Sequence, residues 1–159
     1  MLDTLKNILP GNHDKPKSFF KIINILKNNG EISPETESFL WKAYQFGESA
    51  HVGQKRRSGE PYFNHCTVVG EILASWHLDV NTIIAGLLHD SIEDTELKLE
   101  EIKEYFNSDI GNLVDGVSKL SGIKFGSRKE EQAENFMKMF LSVAKDIRVI
   151  IIKFADRLH

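Results

Sequence analysis

The chain has 159 residues and a mass of 18.1 kDa, which is the size of a single domain. Hydrophobic residues make up 41% of the sequence and charged residues 27%, a globular balance that excludes a disordered chain. The formal net charge of −3 at pH 7 gives no reason to expect general binding to nucleic acid or to an acidic membrane surface.

Three further features of the sequence predict a cytoplasmic protein. Cys66 is the only cysteine, so it forms no disulfide within the chain, which fits a reducing compartment. No apolar run approaches the roughly 20 residues that a membrane-spanning helix needs. The first six residues lack the basic and apolar regions of a signal peptide. We therefore expect neither membrane nor nucleic-acid partners.

Residues 1–17 are predicted to be a flexible leader, because residues 9–17 are rich in turn-forming side chains. Helical periodicity begins at residue 18, and residues 18–29 place their apolar side chains on one broad face. Gly30 is a natural helix stop. The folded domain is therefore expected to span residues 18–159.

The second predicted helix has a clear start. Ser33 is a favourable N-cap, and Pro34 suits the first helical position. Apolar residues then recur from Phe39 to Ala50. Residues 54–61 contain no apolar side chain and are predicted to be a loop.

Three helices are predicted in the middle of the chain. One runs over residues 65–76, and a short amphipathic one runs over residues 99–106. Between them, Asp79 is a candidate N-cap for a helix that includes residues 83–90. This segment is apolar nearly all round, so we expect it to be central and buried.

The last part of the chain is also predicted to be helical. Ser108 caps a helix that reaches at least Val117, residues 121–130 are expected to form a loop, and residues 131–145 another helix. Residues 147–155 are rich in β-branched side chains, which suit a strand, but no other segment offers a strand partner. We therefore predict a buried helix there and an all-α bundle for the whole chain.

Polar residues follow the most apolar helix at a regular spacing. His89 and Glu93 are four residues apart, as are Asp90 and Asp94, so each pair shares a helix face. A buried histidine beside three acids is costly unless a cation compensates. The alternative to a metal site is that His89 and Asp90 end the helix and form hydrogen bonds with the backbone and solvent.

Two more candidate metal ligands occur in similar apolar settings. His65 begins one predicted helix, and Asp156 lies near the end of another. Together with His89 and Asp90 they make a mixed nitrogen and oxygen donor set. Such a set suits manganese, iron, zinc, cobalt or nickel better than calcium. Bound in this way, a divalent ion activates water and polarises a phosphoryl oxygen.

Five segments resemble, in order, the motifs of the HD-type hydrolase domain of RelA/SpoT-homologue alarmone enzymes, and together they are highly specific. The resemblance covers about residues 35–159. The segments are residues 50–65 (AHVGQKRRSGEPYFNH), 85–95 (AGLLHDSIEDT), 114–120 (VDGVSKL), 134–139 (ENFMKM) and 146–159 (DIRVIIIKFADRLH).

This resemblance implies an all-α fold, one manganese ion and a specific reaction. The family removes the 3′-pyrophosphate from ppGpp and pppGpp, the alarmones of the stringent response, to give GDP or GTP. The residues that match its metal ligands are His65, His89, Asp90 and Asp156.

The resemblance also implies the remaining site residues. Glu93 and Asp94 match the acidic pair that orients and activates the attacking water, whereas synthetase-only relatives lose this pair. Arg56, Arg57 and Ser58 match the loop that holds the guanine base and the phosphates. Arginine at these positions fits a purine nucleotide, because its planar side chain stacks on the base and its charge pairs with phosphate.

The sequence departs from the family at its C-terminus, because it stops at His159 where the family continues. We therefore expect a hydrolase domain that is incomplete at its C-terminus and belongs to a longer bifunctional alarmone synthetase/hydrolase. One alternative is a catalytically impaired module that binds metal or nucleotide. Another is an HD enzyme acting on dNTPs or cyclic dinucleotides, against which the loop of Arg56, Arg57 and Ser58 argues.

Overall fold

The structure, a computed structural model, describes residues 14–121 and 145–159 of the chain. These residues contain helices and no strand, apart from one isolated antiparallel bridge between Lys55 and Pro61. The prediction of an all-α fold is therefore confirmed. The helices are α1 (Lys17–Asn29), α2 (Pro34–Ala50), α3 (Phe63–Ser75), α4 (Val80–Leu88), α5 (Ser91–Asp94), α6 (Leu99–Tyr105), α7 (Ser108–Ser121) and α8 (Arg148–Arg157).

Hydrogen bonds confirm two of the three predicted helix caps, Ser33 and Asp79. The Ser33 hydroxyl accepts from the Thr36 amide at 3.2 Å, and the Asp79 carboxylate accepts from the Thr82 amide at 3.1 Å. The third was wrong by one residue, because the Ile110 amide donates to Oδ1 of Asn107 at 2.8 Å and Ser108 is already helical. The first helix begins at Lys17, one residue earlier than expected. The leader up to residue 13, most of the predicted loop over residues 121–130 and the predicted helix over residues 131–145 lie outside the described residues.

Helix α4 is the centre of the fold, as its apolar sequence predicts. Every residue from Thr82 to Leu88 is buried, and α4 packs against α2, α3, α7 and α8. The absence of a side chain at Gly86 lets α3 approach closely, because a Cβ atom there would collide with Cδ1 of Leu73. Tight packing around α4 gives the segment that follows it a defined position.

The predicted helix over residues 83–90 ends earlier than expected, at Leu88. The His89 ring forms a hydrogen bond to the carbonyl oxygen of Gly86 at 2.8 Å. In a longer helix, that oxygen would instead accept a hydrogen bond from the backbone amide four residues later. After this interruption, the Asp94 amide donates to the carbonyl oxygen of Asp90 at 2.9 Å, which closes the short helix α5. The break places His89 and Asp90 at the end of the central helix.

The helix predicted to be buried over residues 147–155 is buried on one face only. Val149, Ile152 and Ala155 are buried, whereas Ile147 is 56% and Phe154 63% exposed. Helix α8 packs on α3, α4 and α7, which all lie on one side of it. The end of α8 therefore lies beside the start of α3 and the end of α4. Within the described ranges, no helix has the length and apolar character to cross a membrane.

Candidate metal centre

Four side chains from three parts of the fold converge at one point, and we call them the donor cluster: His65, His89, Asp90 and Asp156. The Nε2 atom of His65 lies 3.0 Å from Oδ1 of Asp156 and 3.9 Å from Oδ2 of Asp90. The Nε2 atom of His89 lies 3.1 Å from Oδ2 of Asp90 and 3.7 Å from Oδ1 of Asp156. All four predicted ligands are thus brought together, with side chains at most 16% exposed.

The orientation of the His89 ring leaves a nitrogen available for a cation. Its Nδ1 atom donates to the carbonyl oxygen of Gly86, which can only accept, so this nitrogen carries the proton. Its Nε2 atom is buried and has no hydrogen-bond partner among the residues that the structure describes. A ring nitrogen whose partner atom is held in this way is the usual arrangement of a metal-binding histidine. The donor cluster therefore fits a divalent ion.

The pKa shifts of the cluster show how strongly it attracts positive charge. Burial lowers the pKa of His89, but the carboxylates of Asp156 and Asp90 outweigh it and raise this pKa to about 9. Burial raises the pKa of Asp156, but His65, His89 and Lys153 outweigh it and hold this pKa well below its usual range. Two carboxylates facing two imidazoles thus require a cation, either a proton or a metal ion.

Tyr62 joins the donor cluster to the acidic pair, Glu93 and Asp94. Its hydroxyl oxygen lies 2.8 Å from Oδ2 of Asp90 and 2.8 Å from Oδ2 of Asp94. Burial and the two carboxylates raise the pKa of Tyr62, so its hydroxyl stays protonated and donates. This contact holds Asp90 and Asp94 on one face, as their spacing predicts. Glu93 is exposed beside them at the edge of the same cleft.

A chain of contacts supports Tyr62 from behind. Its ring stacks on His51, with centroids 5.1 Å apart and planes 20° apart. Nδ1 of His51 lies 2.7 Å from Oε1 of Gln54, and Nε2 of Gln54 donates to the carbonyl oxygen of Asp94 at 2.5 Å. Sequence reasoning missed Tyr62 as a site residue, although it lies inside the first family motif. An aromatic hydroxyl three residues before a candidate ligand was the available signal.

The predicted loop over residues 54–61, which we call the basic loop, is a tight hairpin. Lys55 and Pro61 form the isolated bridge, and the Arg56 amide donates to the carbonyl oxygen of Glu60 at 2.9 Å. These bonds close the loop on itself beside the start of α3, so its side chains project over the donor cluster.

The tip of the basic loop carries the predicted substrate residues Arg56, Arg57 and Ser58, and all three line the cleft. Gly59 follows them with φ of +89°, a left-handed conformation that favours glycine and turns the chain back. An Nη1 atom of Arg56 lies 3.2 Å from Nδ1 of His159. The basic loop and the C-terminal residue are therefore neighbours at the mouth of the cleft.

Two cleft residues that sequence reasoning did not select come from the C-terminal segment. Lys153 donates to Oδ2 of Asp156 at 2.6 Å and to the hydroxyl of Ser121 at 2.8 Å. The His159 ring stacks on His65, with Nδ1 atoms 3.0 Å apart. Burial and the charges of neighbouring groups lower the pKa of His159, so it is predominantly neutral at pH 7.

The resulting cleft has a volume of about 820 Å³ and is lined by groups of both charges. His65, Asp90 and Asp156 line it together with the acidic pair, and Lys55, Arg56, Arg57 and Lys153 supply positive charge. Most small-molecule pockets have volumes of about 300–1,000 Å³. A cleft of this size and charge suits a polyanionic nucleotide held next to a divalent ion.

Cys66 lies directly after His65, and its side chain is fully buried. Burial and the nearby charge of Asp90 raise the pKa of its thiol well above the ordinary value. Cys66 therefore lacks the exposure and the lowered pKa that a cysteine nucleophile needs.

Comparison with known proteins gives one family and a consistent set of relatives. Residues 43–159 match the family described as HD domain. A guanosine-3′,5′-bis(diphosphate) 3′-pyrophosphohydrolase of Vibrio cholerae is 52% identical over 124 residues, which are 78% of this chain and 17% of that protein. The bifunctional (p)ppGpp synthase/hydrolase SpoT of Escherichia coli K12 is 50% identical over 120 residues, 76% of this chain and 17% of that one.

Two further matches extend the comparison. A GTP pyrophosphokinase of Streptomyces antibioticus is 49% identical over 132 residues, 83% of this chain and 16% of that protein. A solved structure reported as "A metazoan ortholog of SpoT hydrolyzes ppGpp and plays a role in starvation responses" has a TM-score of 0.60 and 30% identity, covering 80% of this chain and 68% of that chain. The chain thus spans 16–17% of the length of the three curated relatives named here.

Proposed function

The chain belongs to the HD domain family, and on this premise we propose that it hydrolyses the 3′-pyrophosphate of ppGpp and pppGpp to GDP or GTP and pyrophosphate. One observation carries the proposal: His65, Asp90 and Asp156 of the donor cluster line a single cleft together with the acidic pair and the basic loop. The names of the hydrolase relatives support the same substrate.

The HD domain implies a divalent metal ion, and we assign it to His65, His89, Asp90 and Asp156. We propose manganese because the resemblance to the RelA/SpoT-homologue hydrolases implies this ion. The mixed donor set of two imidazoles and two carboxylates is compatible with it, since such a set suits manganese, iron, zinc, cobalt or nickel better than calcium. When bound, the ion supplies Lewis-acid activation of water and of a phosphoryl oxygen. The unpartnered Nε2 atom of His89, described above, supports this assignment over a purely structural role.

The acidic pair is proposed to handle the proton of the attacking water. Asp94 is held by the Tyr62 hydroxyl at 2.8 Å, which directs one carboxylate oxygen toward the donor cluster. Glu93 is exposed beside it and free to accept a proton from water entering the cleft. A carboxylate next to an activated water is an effective general base, since proton transfer then requires no large movement.

The basic loop is proposed to bind the nucleotide. Its side chains Arg56 and Arg57 pair with phosphate oxygens and stack on the guanine base, and Ser58 adds a hydroxyl donor. Lys153 lies beside the donor cluster, where it pairs with Asp156 and lines the same cleft. A substrate with two pyrophosphate groups needs positive charge on both sides.

The wider setting is also a proposal. We assign residues 18–159 to an HD-type hydrolase domain of a longer, bifunctional alarmone synthetase/hydrolase that acts in the cytoplasm, with further domains in the same protein. The substrate is the expected partner of the domain, and no nucleic-acid binding is expected, in line with the net charge of −3.

A second candidate function is a regulatory module that binds metal or nucleotide without turnover. The observation in its favour is that a relative named GTP pyrophosphokinase, which is a name for the synthetic reaction, shares this segment. The presence of both Glu93 and Asp94 favours hydrolysis, because a binding module has no need of a general base.

The test is release of pyrophosphate from ppGpp in the presence of Mn²⁺. The wild-type chain is expected to release it, and Asp90→Ala is expected to lose activity because the donor cluster loses a ligand. Asp115→Ala is the matched control, since Asp115 pairs with Lys119 on the surface of α7, and it should retain activity.

Other outcomes separate the alternatives. If neither this chain nor a longer protein that contains it releases pyrophosphate, while both bind ppGpp or Mn²⁺, the binding module is the correct function. A preference for dNTPs or cyclic dinucleotides in a substrate panel would identify a different HD phosphohydrolase.

A further inference from the structure

We propose that Cys66, His89 and Asp90 form a second donor set, one that binds a thiophilic divalent ion such as zinc and shares two residues with the donor cluster. This inference rests on the metal site of the proposed function but not on the reaction. The two donor sets differ in one respect: the first is completed by His65 and Asp156, and the second by the thiol of Cys66.

The geometry of the second set is already close to that of a metal site. The Sγ atom of Cys66, a ring nitrogen of His89 and a carboxylate oxygen of Asp90 all lie within 4.8 Å of one another. Zinc bonds of about 2.0–2.3 Å in a tetrahedral site place donor atoms roughly 3.5 Å apart. Small side-chain adjustments, each of the order of 1 Å, are therefore enough to close the set around an ion.

The His89 nitrogen that supports the donor cluster is also a donor of the second set. The His89 side chain is fully buried, and its Nε2 atom finds no hydrogen-bond partner in the described part of the chain. Its other nitrogen is occupied by the carbonyl oxygen of Gly86 at 2.8 Å. The buried Nε2 atom lies 3.1 Å from Oδ2 of Asp90 without a hydrogen bond to it. Such an arrangement beside a thiol is costly unless a cation lies between the donor atoms.

Charge and ligand softness decide which ion this set prefers. On binding, the Cys66 thiol gives up its proton to solvent, so a thiolate and the Asp90 carboxylate together neutralise a divalent cation. A neutral assembly is the least costly form for a buried site. Soft thiolate ligands select zinc and its heavier congener cadmium, whereas imidazole and carboxylate ligands alone accept harder ions such as manganese.

The shared ligands have a functional consequence. An ion drawn toward Cys66 occupies His89 and Asp90, which the donor cluster also needs. Zinc and manganese are therefore expected to compete, and zinc bound through Cys66 is expected to hold the site in a form that excludes the manganese-bound state. The position of one thiol thus sets the metal preference of the site.

Cadmium titration of the metal-free chain tests the proposal without measuring turnover. Thiolate coordination to Cd²⁺ produces a charge-transfer absorption band in the ultraviolet, and Cys66 is the only cysteine that can give it. We expect the band to saturate at one equivalent of Cd²⁺ in the wild type and to be absent in Cys66→Ala.

Affinities measured by calorimetry provide the matched comparison. Loss of a residue that only supports a metal ligand typically weakens metal binding about 10–100-fold. Loss of the Cys66 ligand itself should therefore weaken Cd²⁺ binding at least roughly tenfold more than it weakens Mn²⁺ binding. Asp156→Asn should show the opposite pattern, with weaker Mn²⁺ binding and an intact Cd²⁺ band.

The proposal is overturned if folded wild-type chain gives no thiolate band at saturating Cd²⁺, or if it binds no Cd²⁺. It is also overturned if the band persists unchanged in both His89→Asn and Asp90→Asn, because the thiol would then bind the ion alone. The wild-type band needs no variant, so a Cys66 variant that fails to fold does not remove the test. A chain that shows the band but hydrolyses no ppGpp contradicts the proposed function alone.

Discussion

At the scale of single residues, the candidate site is defined by how each donor atom is held. The His89 ring is held by the carbonyl oxygen of Gly86, Asp90 by the Tyr62 hydroxyl, and Asp156 by a lysine one turn earlier. Contacts of this kind orient metal ligands, and their loss typically lowers the metal affinity of a site. These contacts therefore orient the donor side chains toward one another.

Tyr62→Phe tests this pre-organisation. The substitution removes one hydroxyl that donates to two carboxylates, while the aromatic ring keeps its stacking on His51. Hydrogen bonds to charged groups are worth about 1.5–3 kcal/mol, so kcat for ppGpp hydrolysis should fall roughly tenfold or more. KM should change little, because Tyr62 does not hold the basic loop residues that we assign to substrate binding.

Tyr44→Phe is the matched control, since its hydroxyl lies 2.7 Å from the Ser18 hydroxyl in a different part of the core. Its kcat should equal that of the wild type. Equal kcat values for the two variants would show that Tyr62 does not position the acidic pair.

At the scale of elements, the fold depends on tight packing around α4 and on a charged junction at the helix ends. Arg148, the first residue of α8, bonds to Asp109 at 2.7 Å and to Asp146 at 2.6 Å. It also lies 3.5 Å from Asp79, the N-cap of α4. One guanidinium thus joins the beginnings of three helices and sets the position of α8.

Arg148→Gln should destabilise the fold in a pH-dependent way. The Arg148 guanidinium lowers the pKa of Asp109 and of Asp146 below the ordinary value of about 3.9. Carboxyl groups with a lowered pKa contribute stability that is present above the ordinary pKa and is lost as the pH falls through the folded-state pKa. Because these groups are partly exposed, we expect a loss of only about 1 kcal/mol at pH 7.

Urea unfolding at pH 7 and in acid measures this effect, with Lys119→Gln as the control for an exposed ion pair. The difference between wild type and Arg148→Gln should shrink as the pH falls below about 4. A difference that stays the same in acid would mean that the ion pairs do not cause it.

Gly86→Ala should destabilise the chain, because the added methyl group collides with Cδ1 of Leu73 on α3. Overpacking of this kind costs about 1–3 kcal/mol. The cost should be smaller in a Leu73→Ala background, where the obstructing atom is absent. Thermal unfolding of the two single variants and the double variant measures the coupling, and strictly additive effects would contradict the packing explanation.

At the scale of the whole molecule, the donor cluster brings together segments that are far apart in sequence. Helices α3 and α8 and the residues that follow α4 contribute to it, so an ion bound at the proposed site would link the beginning, middle and end of the folded domain. The resemblance to alarmone hydrolases seen in the sequence is confirmed by the HD domain match and by the relatives at 49–52% identity.

Mn²⁺ should therefore raise the thermal stability of the whole chain. A ligand at 100 times its Kd stabilises the folded state by about 2.7 kcal/mol. For a domain of this size, that corresponds to a rise in Tm of about 5–10 °C. Differential scanning calorimetry with Mn²⁺ and then with EDTA measures it, and Asp156→Asn should lose the shift. An equal rise in that variant would place the ion elsewhere.

The sequence alone predicted the helical class, the helix caps Ser33 and Asp79, and four candidate donor residues that the fold brings together. Spacing of apolar residues and capping by Ser33 or Asp79 are local properties, so they can be recognised without the fold. The family motifs then supplied the acidic pair and the basic loop. The predicted end of the central helix was wrong by two residues, because a side-chain bond from His89 competes with the backbone.

Only the tertiary structure decided which other residues complete the site. Tyr62 and Asp90 are 28 positions apart, and His65 and His159 are 94 apart, so no local pattern predicts their contacts. Phe154 is likewise exposed because the neighbouring helices cover the other side of α8. Long-range contacts depend on how helices pack, and packing is a property of the folded chain as a whole.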